Sequence, residues 1–80
     1  MKTVTVRYFA SLRESAGKGE ETYATDARSV LELYQDLAAQ YGFELTSTHV
    51  KASRNREIVD MSESFSSGDE IVFLPPVAGG

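Results

Sequence analysis

The sequence predicts an α+β domain in which a mixed sheet carries one main helix on one face. Three observations predict it. Thr3 to Phe9 alternate with period two, Ser29 to Tyr41 carry an apolar stripe at helical spacing, and Glu70 to Leu74 alternate again before Pro75-Pro76. At 80 residues there is room for one small domain, residues 1–80.

In the first segment Val4, Val6 and Tyr8 fall on one face, and Thr3, Thr5, Arg7 and Phe9 on the other. β-Branched residues with this period form a strand half-buried on a core. A short polar stretch leads to Gly17-Lys18-Gly19, which reads as a turn, and Glu21 to Ala24 is a short returning strand. The helix begins with a capping box, Ser29 and Glu32, in which each side chain satisfies a free backbone N–H. Val30, Leu33, Tyr34, Leu37, Ala38 and Tyr41 recur at steps of three and four, and Gly42 stands where a left-handed C-cap belongs.

Phe43 to His49 is irregular. Val50 to Arg54 and Glu57 to Val59 read as two short strands joined by Asn55-Arg56, although Arg54 is unexpectedly polar for a strand. Ser66-Ser67-Gly68-Asp69 is a turn, and Glu70 to Leu74 is the last strand, with Ile71 and Phe73 on one face. Pro75-Pro76 ends it, because proline lacks the N–H a ladder needs. The helix can then serve as a right-handed crossover that sets the first and last strands side by side and parallel. That order of elements is the β-grasp, or ubiquitin-like, fold.

Composition excludes several functions. Lys plus Arg is 8 against 12 for Asp plus Glu, a formal net charge of −4, which disfavours nucleic acid as a partner. There is no cysteine, so there is no disulfide, thiol nucleophile, thiolate zinc site or cysteine-held iron–sulfur cluster. No apolar run has membrane-spanning length and no signal peptide is present, so a cytoplasmic location is expected.

Side-chain catalysis finds little support. His49 is the sole histidine, so no multi-histidine metal site is expected. Ser62, Ser64, Ser66 and Ser67 lie in no nucleophile elbow, and their chemistry is that of turns and caps. Glu20-Glu21 and Asp69-Glu70 are neighbours whose side chains diverge in a strand. The Gly17-Lys18-Gly19 turn lacks phosphate-loop spacing.

The C-terminal segment stands apart. Glycine at the end of a chain is ordinarily a frayed end. Here Pro75-Pro76 directs an extended backbone away from the sheet, and residues 75–80 form a tail that can reach about 18–20 Å. Gly79 and Gly80 carry no Cβ, so this segment can thread a narrow channel and present an unhindered carboxylate. That carboxylate reacts with sulfur or amines only after activation, for example as an acyl adenylate. Phe9, Ile58 and Leu74 are apolar but out of phase with the core sets, so they are expected together on the face away from the helix, as a protein-docking patch. A strand phase shifted by one residue would reverse that placement.

Ser67-Gly68-Asp69-Glu70-Ile71-Val72-Phe73-Leu74-Pro75-Pro76-Val77-Ala78-Gly79-Gly80 resembles the C-terminal signature of molybdopterin synthase small subunits, and Val6-Arg7-Tyr8-Phe9-Ala10 through Arg13-Glu14 resembles that family's first strand and following loop. Leu74 departs from the aromatic residues common at its position but keeps their apolar character. The resemblance implies a sulfur carrier without catalytic side chains of its own. An adenylating enzyme of the ubiquitin-activating type would use ATP to convert the Gly80 carboxylate to an acyl-AMP, and a sulfur donor would turn it into a thiocarboxylate. Gly79 would give access, and Pro75, Pro76, Val77 and Ala78 would position the tail in the large subunit of a heterotetramer. There sulfur would pass to cyclic pyranopterin monophosphate to build the molybdopterin dithiolene. Phe9, Ile58 and Leu74 would dock the partner; no permanently bound cofactor and no metal are implied. A thiamine-pathway sulfur carrier, a ubiquitin-like modifier joined to lysines through Gly80, and an interaction domain with an inert tail are the alternatives.

Overall fold

This computed structural model describes residues 1–76. The elements run β1 (Lys2–Tyr8), α1 (Ala10–Ala16), β2 (Glu20–Thr25), α2 (Val30–Tyr41), a 3-10 turn (Ser47–His49), β3 (Lys51–Arg54), β4 (Glu57–Val59) and β5 (Glu70–Leu74). The sheet order is β2-β1-β5-β3-β4. β1 and β5 pair in parallel at its centre, with Tyr8 opposite Phe73, and the other pairings are antiparallel. This is the β-grasp, ubiquitin-like topology expected from the order of elements.

α2 begins at Ser29 with a shifted form of the expected capping box, whose return bond reaches the residue before the N-cap. Ser29 Oγ accepts from Glu32 N at 3.2 Å, and Glu32 Oε1 accepts in return from Arg28 N at 2.9 Å. Gly42 ends the helix at φ 71°, a left-handed C-cap with its N–H bonded to Ala38 O. Val30, Leu33, Tyr34 and Leu37 are buried against Val4, Val6, Tyr8, Ile71 and Phe73 of the central strands. Each such side chain stabilises the fold by about 1.5–3 kcal/mol through burial alone. Tyr34 Oη donates to Leu45 O at 2.6 Å, so its polar end is satisfied inside the core.

The sequence reading missed one helix. Residues 10–16, read as a polar stretch before a turn, form α1, which buries Leu12 and Ala16 and ends at Gly17 with φ 76°. Two buried residues in seven give too short a stripe for periodicity to register. β1 accordingly stops at Tyr8, and Phe9 is the N-cap of α1 with extended backbone, φ −129° and ψ 153°. The irregular stretch before β3 contains the 3-10 turn, and the strand boundaries shift by a residue at Lys51, Glu20 and Thr25.

Candidate functional site

The site is assembled by the alternation of three strands at one end of the sheet. Because β1 and β5 are parallel, both finish at the same end, and the register that sets Tyr8 opposite Phe73 brings Phe9 beside Leu74. β3 runs the other way and contributes its first residue, Lys51, opposite Leu74. One row back, Arg7, Val72, Ser53 and Ile58 follow one another across the sheet. Val4, Val6, Tyr8, Ile71, Phe73 and Ala52 face the helix and are buried, so this second set lies on the opposite, open face.

Phe9 is 43 % exposed and Ile58 66 % exposed, two of the three large apolar residues left in solvent among the described residues. Leu74 is half-buried. The structure therefore sets Phe9 and Leu74 next to each other. Ile58 stands two strands from Val72, about 10 Å across the sheet, with the Ser53 row between them. Pro75 and Pro76 continue directly from Leu74, half-buried and exposed respectively. Val77, Ala78, Gly79 and Gly80 lie outside the described residues.

Charge on the open face is arranged in a row. Arg7 sits 3.7 Å from Glu20 of β2 and 3.8 Å from Glu70 of β5, so both carboxylates compensate it. Glu21, the neighbour of Glu20, points to the other face as strand geometry demands. It accepts from Tyr8 Oη at 2.5 Å and Tyr41 Oη at 2.7 Å, and Lys18 stands 3.6 Å away. Burial first, and then the bond to Glu21, pushes both tyrosine hydroxyls above their usual range. The tyrosines stay neutral donors that anchor a carboxylate at the rim of the core, a structural use of Glu21.

The opposite end of β5 is locked by its turn. Asp69 accepts from Ser66 N at 2.8 Å and from Asn55 Nδ2 at 3.0 Å, and these bonds hold its carboxyl below the usual aspartate range. Asn55 Oδ1 accepts from Glu70 N at 2.9 Å. Thr3 N donates to Ser67 Oγ at 2.9 Å, and Gly68 N donates to Thr3 O at 2.8 Å. Gly68 has φ 90°, which favours glycine there. Arg54, unexpectedly polar in the sequence, donates to Ser64 O at 2.6 Å and ties the preceding loop to β3. The residues of the signature turn thus register β5 between β1 and the β3–β4 hairpin.

No other site competes with this one among the described residues. An open groove of about 610 Å³ runs beside β4, between Leu31, Val50, Val59 and Met61, with Asp60 as its one carboxylate; it borders the site, because Lys51 and Ile58 also line it. His49 is exposed, with Nδ1 3.2 Å from Thr46 Oγ1. No helix of the described residues is long and apolar enough to cross a membrane. Alternation alone puts Arg7 with Phe9 and Val72 with Leu74, so both were readable as part of the open face. Lys51 was not, because its place beside Leu74 depends on β3 pairing with β5, which local alternation does not report.

A model of the ThiS family matches residues 6–80. The molybdopterin synthase sulfur carrier subunit of Escherichia coli (strain K12) is 34 % identical, over 96 % of this chain and 99 % of that protein. Among solved structures, SAMP1 from Haloferax volcanii superposes with a TM-score of 0.77 at 25 % identity, over 98 % of this chain and 99 % of that one. The complex of subunits 1 and 2 of molybdopterin-converting factor from Helicobacter pylori 26695 contains a chain matched with a TM-score of 0.67, also at 25 % identity, over 98 % of this chain and 99 % of that one. Topology, family match and full-length relatives agree: the chain belongs to the ThiS family of β-grasp sulfur carriers.

Proposed function

We propose that this protein is the sulfur carrier subunit of a molybdopterin synthase and that Gly80 carries the sulfur. The observation that supports this reading best is the placement of Leu74-Pro75-Pro76. The central parallel pair delivers the C-terminal segment from the same sheet end that exposes Phe9. A partner gripping the apolar patch therefore receives the tail in a fixed direction. The signature Pro75-Pro76-Val77-Ala78-Gly79-Gly80 supplies that tail with a stiff base and a narrow tip.

The chemistry follows from the carboxylate's inertness. A partner adenylating enzyme joins the Gly80 carboxylate to the α-phosphate of ATP and releases pyrophosphate. A sulfur donor then attacks the carbonyl carbon, AMP leaves, and a thiocarboxylate results. In the large subunit the thiocarboxylate sulfur attacks cyclic pyranopterin monophosphate, and hydrolysis of the acyl link returns the Gly80 carboxylate. A dithiolene has two sulfurs, so two loaded carriers serve each product, consistent with an assembly of two small and two large subunits. Phe9, Ile58 and Leu74 dock the partner; Gly79 and Ala78 pass the channel; Val77, Pro76 and Pro75 set the direction. ATP is consumed by the partner, and this chain holds no cofactor of its own in the cycle.

Mass spectrometry of the protein from its native cell tests this reading. A fraction with one terminal oxygen replaced by sulfur is expected, and its absence from cells actively making molybdopterin would refute the proposal. The likeness to SAMP1, a small archaeal modifier protein, favours one second reading, conjugation of Gly80 to protein lysines. Branched peptides on target lysines with no thiocarboxylate would select it.

A further inference from the structure

We propose that Arg7 is a specificity-determining contact of the docking face, and that it binds a neutral main-chain carbonyl of the large subunit, not an acidic side chain. The inference rests on the reading of the open face around Phe9 and Leu74 as the surface that meets that subunit. The question is what the one charged group beside that apolar patch can accept.

The sheet carries two arginines, and they are used differently. Arg54 donates to Ser64 O at 2.6 Å. The Arg7 guanidinium makes no hydrogen bond among the described residues. Its Nε stands 3.7 Å from Glu20 and its Nη1 3.8 Å from Glu70. Both distances exceed the range of an N–H···O bond, about 2.7–3.2 Å. The two carboxylates therefore compensate the charge and leave the guanidinium donors unspent. The side chain is 43 % exposed, so those donors are open to a partner. Ion pairs this exposed add little to stability, so the fold does not depend on Arg7.

Position and charge then select the occupant. Arg7 lies two residues before Phe9 on the same face of β1, and it is in register with Val72 of β5. A partner that covers Phe9 and Leu74 covers Arg7 too. Burying a bare guanidinium is costly, and Glu20 and Glu70 at its flanks lower that cost in advance. Together the three groups carry one net negative charge. A partner carboxylate brought to Arg7 would meet both glutamates and be repelled. A carbonyl oxygen carries no net charge and has two lone pairs for N–H donors, which the flat fork of a guanidinium presents in fixed geometry. An ammonium at the same place supplies the charge without the fork. The group is thus built for directional hydrogen bonding to a neutral acceptor and not for attraction between net charges.

Titration calorimetry of the full chain, residues 1–80, against the large subunit tests this, with thermal unfolding to show that each variant is folded. The tail is identical in every sample, so differences report the sheet face. Arg7→Lys keeps the charge and loses the fork. It is expected to weaken binding about tenfold or more, by the same factor at about 0.05 M and about 0.5 M salt. Arg7→Ala combined with Glu20→Gln and Glu70→Gln removes the whole charged group and is expected to bind no better than Arg7→Lys. Wild-type affinity in Arg7→Lys, or a loss that fades with salt, would overturn the proposal. So would recovered affinity in the triple variant, because Arg7 would then serve only to neutralise the two glutamates. Ile58→Ser in the same assay reports on the face itself. If it weakens binding and Arg7→Lys does not, the Arg7 contact alone is refuted. If neither weakens binding, the docking-face reading beneath it is refuted as well.

Discussion

The two ends of β5 are built on opposite terms. At its start, Asp69, Asn55, Ser67 and Thr3 turn their polar groups on one another and fix the strand's register from both sides. At its finish, Phe9 and part of Leu74 leave apolar side chains in solvent, Lys51 is exposed beside them, and proline ends the ladder. The contrast teaches how a small domain can be held firmly at one end of its central strand and still leave the other end open. Rigidity at the start of the strand fixes where the tail begins, and at the finish, where no such side-chain bonds form among the described residues, apolar surface stays open to solvent.

The largest effect is expected at the released end. On the proposed mechanism, appending one alanine after Gly80 should abolish sulfur loading, because the carboxyl is displaced by one residue and gains a Cβ beside it. Thermal unfolding should be unchanged. Loading at the normal rate in a mass-spectrometric assay would contradict the tail mechanism. Next in size is Ile58→Ser. Ile58 is 66 % exposed and contributes little to the core, so stability should move by less than about 0.5 kcal/mol. Binding to the adenylating enzyme should weaken about tenfold, equal to about 1.4 kcal/mol, as expected for an apolar anchor. Titration calorimetry showing unchanged affinity would remove Ile58 from the docking face.

At the locked end the signs reverse. Asp69→Ala loses the bonds to Ser66 N and Asn55 Nδ2, and should cost about 1–2 kcal/mol of stability in denaturant titrations, allowing for solvent at the site. Partner binding by the folded fraction should be unaffected. The pH dependence follows from the lowered carboxyl pKa of the folded protein. The folded state then binds its proton less readily than the unfolded chain. The stabilisation is present above the unfolded value near 3.8 and is lost as pH falls through the folded value. Asp69→Ala should therefore narrow its deficit relative to wild type as pH drops below about 4. A deficit constant from pH 7 to pH 2 would show that the carboxylate charge is not what holds the turn.

Much of this contrast could be read in the sequence, for identifiable reasons. Alternation in β1 and β5 reports faces directly, so Phe9 and Leu74 were separable from Val6 and Phe73 without coordinates. The capping box and Gly42 mark the ends of α2 because their side-chain and backbone chemistry is local. What stayed hidden is non-local or short. The role of Asn55 depends on Asp69 and Glu70, fourteen and fifteen residues away. Arg54 looks misplaced until Ser64 O is brought to its guanidinium. α1 has only Leu12 and Ala16 buried, too few to reveal a helical period, and the pairing of Lys51 with Leu74 exists only once β3 has found β5.

The smallest effects come from two of the three non-glycine residues with left-handed backbone, one at each end. Ala10 follows Phe9 with φ 51°, and Arg56 occupies the β3–β4 turn with φ 74°. A left-handed backbone costs an L-residue about 1–2 kcal/mol, and glycine returns about 0.5–1 kcal/mol of that through its larger unfolded entropy. Ala10→Gly and Arg56→Gly should thus each raise stability by about 0.5 kcal/mol, read as a higher denaturant midpoint at constant slope. Their functional consequences should differ. The bend at Ala10 keeps Phe9 in line with β1 on the open face while the chain turns to bury Leu12. Loosening it should weaken partner binding about two- to threefold through lost pre-organisation. Arg56 belongs to the locked end, so Arg56→Gly should leave binding unchanged. Equal binding by the two variants would mean that Phe9 is held by its contact with Leu74 and not by the backbone behind it. A lower midpoint for Arg56→Gly would mean that the turn draws more from the arginine side chain than it loses to strain.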